Sequence, residues 1–176
     1  MLVLFLIGII LIILLFLLSM LWPPDSPWSP WWRTDHRLAR IQCKLAKIGK
    51  DDVVYDLGCG DGTLLITAVT EYGARGVGVE IDPLRVFIAQ GRVLLKGLGK
   101  KLTIKRKNFF DVEVSEATVV VMYLIPKTLG RLKPKLLKEL KPGTRIITFV
   151  YKIDLPMIAK DEKNEVYVYE IPQKKK

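Results

Sequence analysis

The chain has 176 residues, half of them hydrophobic, and its 28 Lys and Arg outnumber 18 Asp and Glu for a formal net charge of +10. One histidine and two cysteines, Cys43 and Cys59, without metal-ligand spacing exclude a disulfide framework and a zinc site, and suit a reducing compartment. The positive excess favours anionic lipid surfaces, acidic protein partners or nucleic acid, but charge alone carries no sequence readout, so a specific nucleic-acid role does not follow from it.

Residues 1–22 contain no charged side chain and consist almost wholly of Leu, Ile, Val, Phe and Met. As a helix rising about 1.5 Å per residue, the segment matches the roughly 30 Å hydrocarbon layer and is expected to be a transmembrane anchor. A cleaved signal peptide needs a basic start, a shorter apolar run and a small-residue cleavage site, none of which is evident. Residues 23–33, with Trp28, Trp31 and Trp32 among prolines, suit an interfacial linker. Basic residues follow at Arg33, Arg37, Arg40, Lys44, Lys47 and Lys50, so the positive-inside rule predicts a single-pass protein with its C-terminal domain in the cytoplasm.

Residues 34–176 form one domain of ordinary size. Thr34 is placed to cap a helix carrying Leu38, Ile41, Leu45 and Ile48 at helical spacing. Asp52–Leu57 reads as a buried strand, Thr63–Tyr72 as an apolar helix and Gly76–Ile81 as a second buried strand. Asp82-Pro83 then opens a helix in cap and first-position order, with Leu84, Phe87, Ile88 and Leu95 as its apolar stripe. Leu102–Lys107 is a more polar strand suited to an edge, and Thr118–Leu124 is a β-branched central strand. A helical stretch from Pro126 to Leu140 is interrupted by Gly130 and Pro134, Arg145–Tyr151 is a fifth strand, and Glu165–Ile171 is a late strand after a turn at 160–164.

This alternation predicts a mainly parallel α/β sheet with helices on both faces. Ligands in such sheets bind outside the carboxyl ends of the strands. Asp56–Gly62, Glu80–Asp82, Asn108–Asp111 and Tyr123–Pro126 all fall there. The loop Gly58-Cys59-Gly60-Asp61-Gly62 brings backbone under a ligand with no Cβ in the way, and Glu80, about twenty residues on, stands where a carboxylate meets ribose hydroxyls. A dinucleotide fingerprint needs Gly or Ala at its sixth position, where Thr63 stands, and a P-loop needs a Lys and a hydroxyl that are missing here.

Asp-Leu-Gly-Cys-Gly-Asp-Gly resembles motif I of the class I, seven-stranded methyltransferases, which implies a Rossmann-like sheet, here preceded by the N-terminal transmembrane helix, and S-adenosylmethionine as cofactor. The resemblance implies that Asp56, Gly58, Cys59 and Gly60 hold the amino-acid part of the cofactor, and that Glu80 with Ile81 holds the ribose. Asn108 and Phe109 match the position that frames the adenine, with Asn108 in place of the more usual Asp. The ordered set of these motifs with Ser-Glu-Ala-Thr-Val-Val-Val-Met-Tyr-Leu-Ile-Pro and the Lys-Pro-Gly turn is similar to the short protein-lysine methyltransferases, over roughly residues 27–151. That similarity implies a protein substrate, including membrane proteins. The segment after Tyr151 matches nothing in the family pattern.

Methyl transfer to a lysine is an in-line displacement by a neutral amine, which asks the enzyme to align two atoms and exclude water, with no metal. Tyr123 and Asp111 are the candidate catalytic residues, as groups able to receive or orient the ammonium; Trp31, Trp32 and Thr34 could form a lid. A methyltransferase for a lipid or lipophilic small molecule, and a non-catalytic cofactor-binding membrane scaffold, are the competing readings. Tyr123-Leu124-Ile125-Pro126 differs from the Asn/Asp-Pro-Pro-aromatic signature of enzymes that methylate the exocyclic amines of bases, which argues against nucleic acid as acceptor. Oligomeric state is not legible.

Overall fold

The computed structural model describes residues 2–21 and 34–173. Helix α1 (Leu2–Leu21) is followed by α2 (His36–Leu45), β1 (Val53–Leu57), α3 (Thr63–Tyr72), β2 (Arg75–Glu80), α4 (Pro83–Leu95) and β3 (Leu102–Arg106). A 3-10 turn (Phe109–Asp111) then leads to β4 (Val119–Met122), α5 (Pro126–Glu139), β5 (Arg145–Phe149), β6 (Met157–Asp161) and β7 (Val166–Glu170). The strands form one seven-stranded sheet in the order β3-β2-β1-β4-β5-β7-β6. The first five run parallel, whereas β7 is antiparallel to β5 and β6 antiparallel to β7. This is the mainly parallel sheet expected from the alternating pattern, in the Rossmann-like form implied by the resemblance, with β3 at one edge and β4 in the centre.

The expected transmembrane helix is not borne out. Among the described residues no helix is long and apolar enough to cross a membrane. The single-pass localisation inferred from the expected helix falls with it. The expected linker at 23–33, including Trp31 and Trp32 of the lid, lies outside the described residues, as does the terminal Lys174–Lys176 run.

Period-2 alternation along the strands decides the two layers. Val54, Val119, Val121, Ile147 and Val168 face one side and pack with α2, α3 and α4. Tyr55, Leu57, Val120, Met122 and Ile146 face the other and pack with Leu129, Leu132 and Leu136 of α5. At the amino ends of the strands Asp52 fastens the sheet: it pairs with Arg145, the first residue of β5, and accepts from Thr118 Oγ1 at 2.6 Å and from Gly49 N at 2.8 Å.

Several local expectations need correction. The cap of α2 is Asp35, whose side chain accepts from Leu38 N at 2.7 Å, rather than Thr34. The buried face of α4 is Arg85, Val86, Ala89 and Val93, and two members of the expected stripe, Phe87 and Leu95, are 73% and 88% exposed. Ala89 is the point at which that face meets the glycine loop: a Cβ on Gly62 would stand 3.6 Å from that of Ala89. Helix α5 runs unbroken through Pro134, which forgoes only its own bond back to Gly130.

Candidate active site

The sheet order reverses between β1 and β4, so the crevice opens at their carboxyl ends. There the chain leaves β1 through Gly58, whose φ is +102° and where an added Cβ would meet nothing within 4 Å. Only glycine holds that conformation without strain, and the open side is where a ligand can lie against bare backbone. The amides of Gly58 and Cys59 both donate to Val79 O, at 2.8 and 3.0 Å, which binds the loop to the end of β2. Cys59 is buried, and its Sγ fills the space left by Gly78 on β2, where a Cβ would come within 2.7 Å of it.

Glu80 is 6% exposed, and its carboxylate is held by three backbone amides. Oε2 accepts from Gly60 N at 3.0 Å; Oε1 accepts from Ile81 N at 2.9 Å and Asp82 N at 3.0 Å. A carboxylate has about four acceptor sites, so one remains on Oε2 for an incoming hydroxyl. The Asp82 side chain caps α4 through Arg85 N at 2.9 Å, fixing the turn on which Glu80 ends.

Asp61 and Arg92 complete the loop; the sequence placed Asp61 in the loop without a role of its own and gave Arg92 no place in the site. Arg92 Nη1 donates to Asp61 O at 2.7 Å and to Thr63 Oγ1 at 2.8 Å, and lies 2.8 Å from Asp61 Oδ2. The other carboxylate oxygen of Asp61 accepts from Thr63 N and Thr63 Oγ1 at the start of α3. The partners lie 31 residues apart in the chain, so no local motif announces them.

Asp56 supplies the test of fit for a cationic cofactor. It is 8% exposed, and among the described residues no side chain bonds or pairs with it. Burial, then the neighbouring Glu80 and Asp61, push its carboxyl up to about 7. A buried carboxylate beside two others, facing a glycine cradle, fits a ligand that brings positive charge, as a sulfonium bearing an α-ammonium does.

The other expected residues divide. Lys107 N donates to Glu80 O at 3.1 Å, so the segment after β3 starts next to Glu80. Asn108 Oδ1 is engaged in capping the 3-10 turn through Phe110 N at 3.0 Å, and Phe109 packs against Phe110 with ring centroids 4.9 Å apart. Asp111 is exposed and lines a cavity of about 430 Å³ with Tyr55, Lys105, Lys107 and Glu113, a set that includes neither the glycine loop nor Tyr123. Tyr123 follows Met122, which is level with Leu57 on one side and Thr148 on the other, so Tyr123 stands between Gly58 and Phe149.

Comparison with known proteins decides the family. The ANTKMT methyltransferase domain matches residues 56–158. The chain belongs to this methyltransferase family. A protein-lysine N-methyltransferase of Saccharolobus islandicus (strain REY15A) is 44% identical over 121 residues, covering 68% of this chain and 75% of the relative. A relative from Caenorhabditis elegans, named as a lysine N-methyltransferase for ATP synthase, is 31% identical over 98 residues, 56% of this chain and 50% of the relative. Among solved structures, an RNA methyltransferase from Salinibacter ruber in complex with S-adenosyl-L-homocysteine superposes with a TM-score of 0.76 at 34% identity, over 82% of this chain and 97% of that one. The ANTKMT-family chain is therefore an S-adenosylmethionine-dependent methyltransferase, as its glycine spacing led us to expect.

Proposed function

We propose that this methyltransferase transfers methyl groups to lysine side chains of protein. The observation that carries the proposal is the register of Leu57, Met122 and Thr148 at the carboxyl ends of β1, β4 and β5, which puts the next residues, Gly58, Tyr123 and Phe149, in neighbouring positions and supports an aromatic acceptor side next to the cofactor loop. The 44% identical relative named as a protein-lysine N-methyltransferase supports the same acceptor.

S-adenosylmethionine supplies an electrophilic methyl on a sulfonium. The chain's own residues bind and orient it. Asp56 would face the ammonium of the cofactor's amino-acid part, with the backbone of Gly58, Cys59 and Gly60 along that part. Glu80, beside Ile81, would take a ribose hydroxyl on its remaining acceptor site, and Asn108 and Phe109 would border the adenine. A lysine of ordinary pKa near 10.4 must lose its proton before it attacks, and partial desolvation at the site lowers that pKa. Burial, then Tyr151 and Glu165, hold the Tyr123 phenol above its ordinary pKa, so it stays neutral and its oxygen can accept from the amine N–H. Asp111, at an exposed rim, draws a cationic acceptor by charge rather than by contact.

The test is fractionation of label. A cell extract incubated with the chain and methyl-labelled S-adenosylmethionine is separated into protein, RNA and lipid, and the protein hydrolysed. Methyl-lysine, lost with Asp56→Ala, is the expected product. Label confined to RNA, the acceptor class named for the Salinibacter structure and compatible with the +10 charge, overturns the proposal, as does label confined to lipid.

A further inference from the structure

At the end of β5 the chain makes an unusual turn. Val150 has φ +64°, and Tyr151 N donates to Phe149 O at 2.7 Å, which is the three-residue γ-turn in its rare positive-φ form. A β-branched residue pays heavily for that conformation, which persists only where the surroundings impose it. Here they do: Val150 N donates to Glu165 O at 2.8 Å, fastening the turn to the chain entering β7.

The turn delivers two rings to one place. Phe149 lies 4.9 Å from Tyr123, centroid to centroid, with planes tilted by 58°. Tyr151 lies 6.4 Å from Tyr123 with planes within 13° of parallel. All three are only half-buried, whereas rings serving the core alone, such as Tyr169, are sealed. Phe149 also lines a groove of about 250 Å³ with Leu38 and Ile41, where the carboxylates of Asp35 and Glu165 stand among the cations Arg37 and Lys163, so this edge of the cluster opens outward. Ring faces attract a cation within about 6 Å of their centroids, and attract it more when it is poorly hydrated. A methylated ammonium is such a cation.

We infer that Tyr123, Phe149 and Tyr151 form an aromatic seat for the alkylammonium head of lysine and of its methylated products, from which the mono- and dimethylated forms shed a proton to solvent before each further transfer. The inference rests on the lysine reading of the site, and assigns the acceptor side to Phe149 and Tyr151 as well as Tyr123. Retention of mono- and dimethyl-lysine follows, so successive transfers occur on one side chain.

The seat is tested on the full chain saturated with S-adenosylhomocysteine, by calorimetry with butyltrimethylammonium and with its neutral isostere 2,2-dimethylhexane at matched concentration. The cation should bind at least tenfold more tightly than the neutral probe. Phe149→Leu and Tyr151→Leu should each lose tenfold or more of that binding while S-adenosylhomocysteine affinity stays within twofold, and Tyr151→Phe, which keeps the ring, should bind as wild type does. Equal binding of cation and isostere by the wild-type chain overturns the seat, with no variant required, as does undiminished cation binding in both Leu variants. The readout needs no turnover: label on RNA with an intact seat would reject the lysine reading alone, and methyl-lysine without cation binding would reject the seat alone.

Discussion

Arg92 and Asp61 meet through one guanidinium nitrogen, which reaches both the carboxylate of Asp61 at 2.8 Å and its main-chain carbonyl at 2.7 Å. The contact welds α4 to the glycine loop at the turn into α3. Arg92→Ala should therefore weaken S-adenosylhomocysteine binding about tenfold and lower stability by about 1–3 kcal/mol, since both side chains are largely shielded and Asp61 would keep its charge beside Asp56. Calorimetry and urea unfolding read the two effects. Unchanged affinity would mean that Glu80 alone shapes the loop.

Asp56 makes cofactor binding pH-dependent. Its carboxyl titrates near 7 in the ligand-free fold, raised by burial first and then by Glu80 and Asp61, against 3.8 for the ordinary group. The native state therefore holds a proton that the unfolded chain releases between about pH 4 and 7. Stability from this group is full below that window and declines as pH rises through it, by at most a few kcal/mol. A cationic cofactor favours the charged form, so affinity should rise from pH 5.5 to 7.5 with release of a proton. Calorimetry in buffers of different ionisation enthalpy measures that proton, and Asp56→Asn should flatten the profile.

What could be read in the sequence was whatever is local. The turn Asp56–Gly62, the Asp82-Pro83 cap and the strand patterns depend on neighbours within a few residues, and the fold carries them almost unshifted. Arg92 could not be read, because its value comes from a loop 31 residues away. Leu84, Phe87, Ile88 and Leu95 were misleading because α4 turns Arg85, Val86, Ala89 and Val93 inward, an orientation set by packing on the sheet rather than by the helix's own apolar stripe. Strand β6 was missed: it is an edge strand with Met157 and Ile158 exposed, so it lacks the apolar alternation of a half-buried strand. Phe149 and Tyr151 left a faint trace, two aromatic residues two apart at a strand end, with nothing to signal the γ-turn that brings both to Tyr123.

Gly78→Ala should cost about 1–3 kcal/mol, because the new methyl would press on both Cys59 Sγ and Ile104 Cδ1 at 2.7 Å. Urea midpoints give the loss. Cys59→Ala in the same chain should recover part of it, and a lack of recovery would place the strain on Ile104.

Asp52→Ala separates folding from binding. It removes the pair with Arg145 and the Thr118 bond at the amino ends of the strands, and should cost about 2–4 kcal/mol. Cofactor affinity, measured well below the unfolding midpoint, should not move, because the site lies at the opposite ends.

The insertion of β7 between β5 and β6 has a consequence for biosynthesis. Every strand that touches the cofactor loop is complete once residue 122 has emerged, but β5 keeps an open edge until residues 166–170 turn back and slide between it and β6. The bond from Val150 to Glu165 cannot form earlier. A nascent chain can thus acquire its donor pocket well before its acceptor side, and a ribosome stalled late in the message would present a cofactor-binding intermediate with an unpaired strand edge, the form most exposed to aggregation.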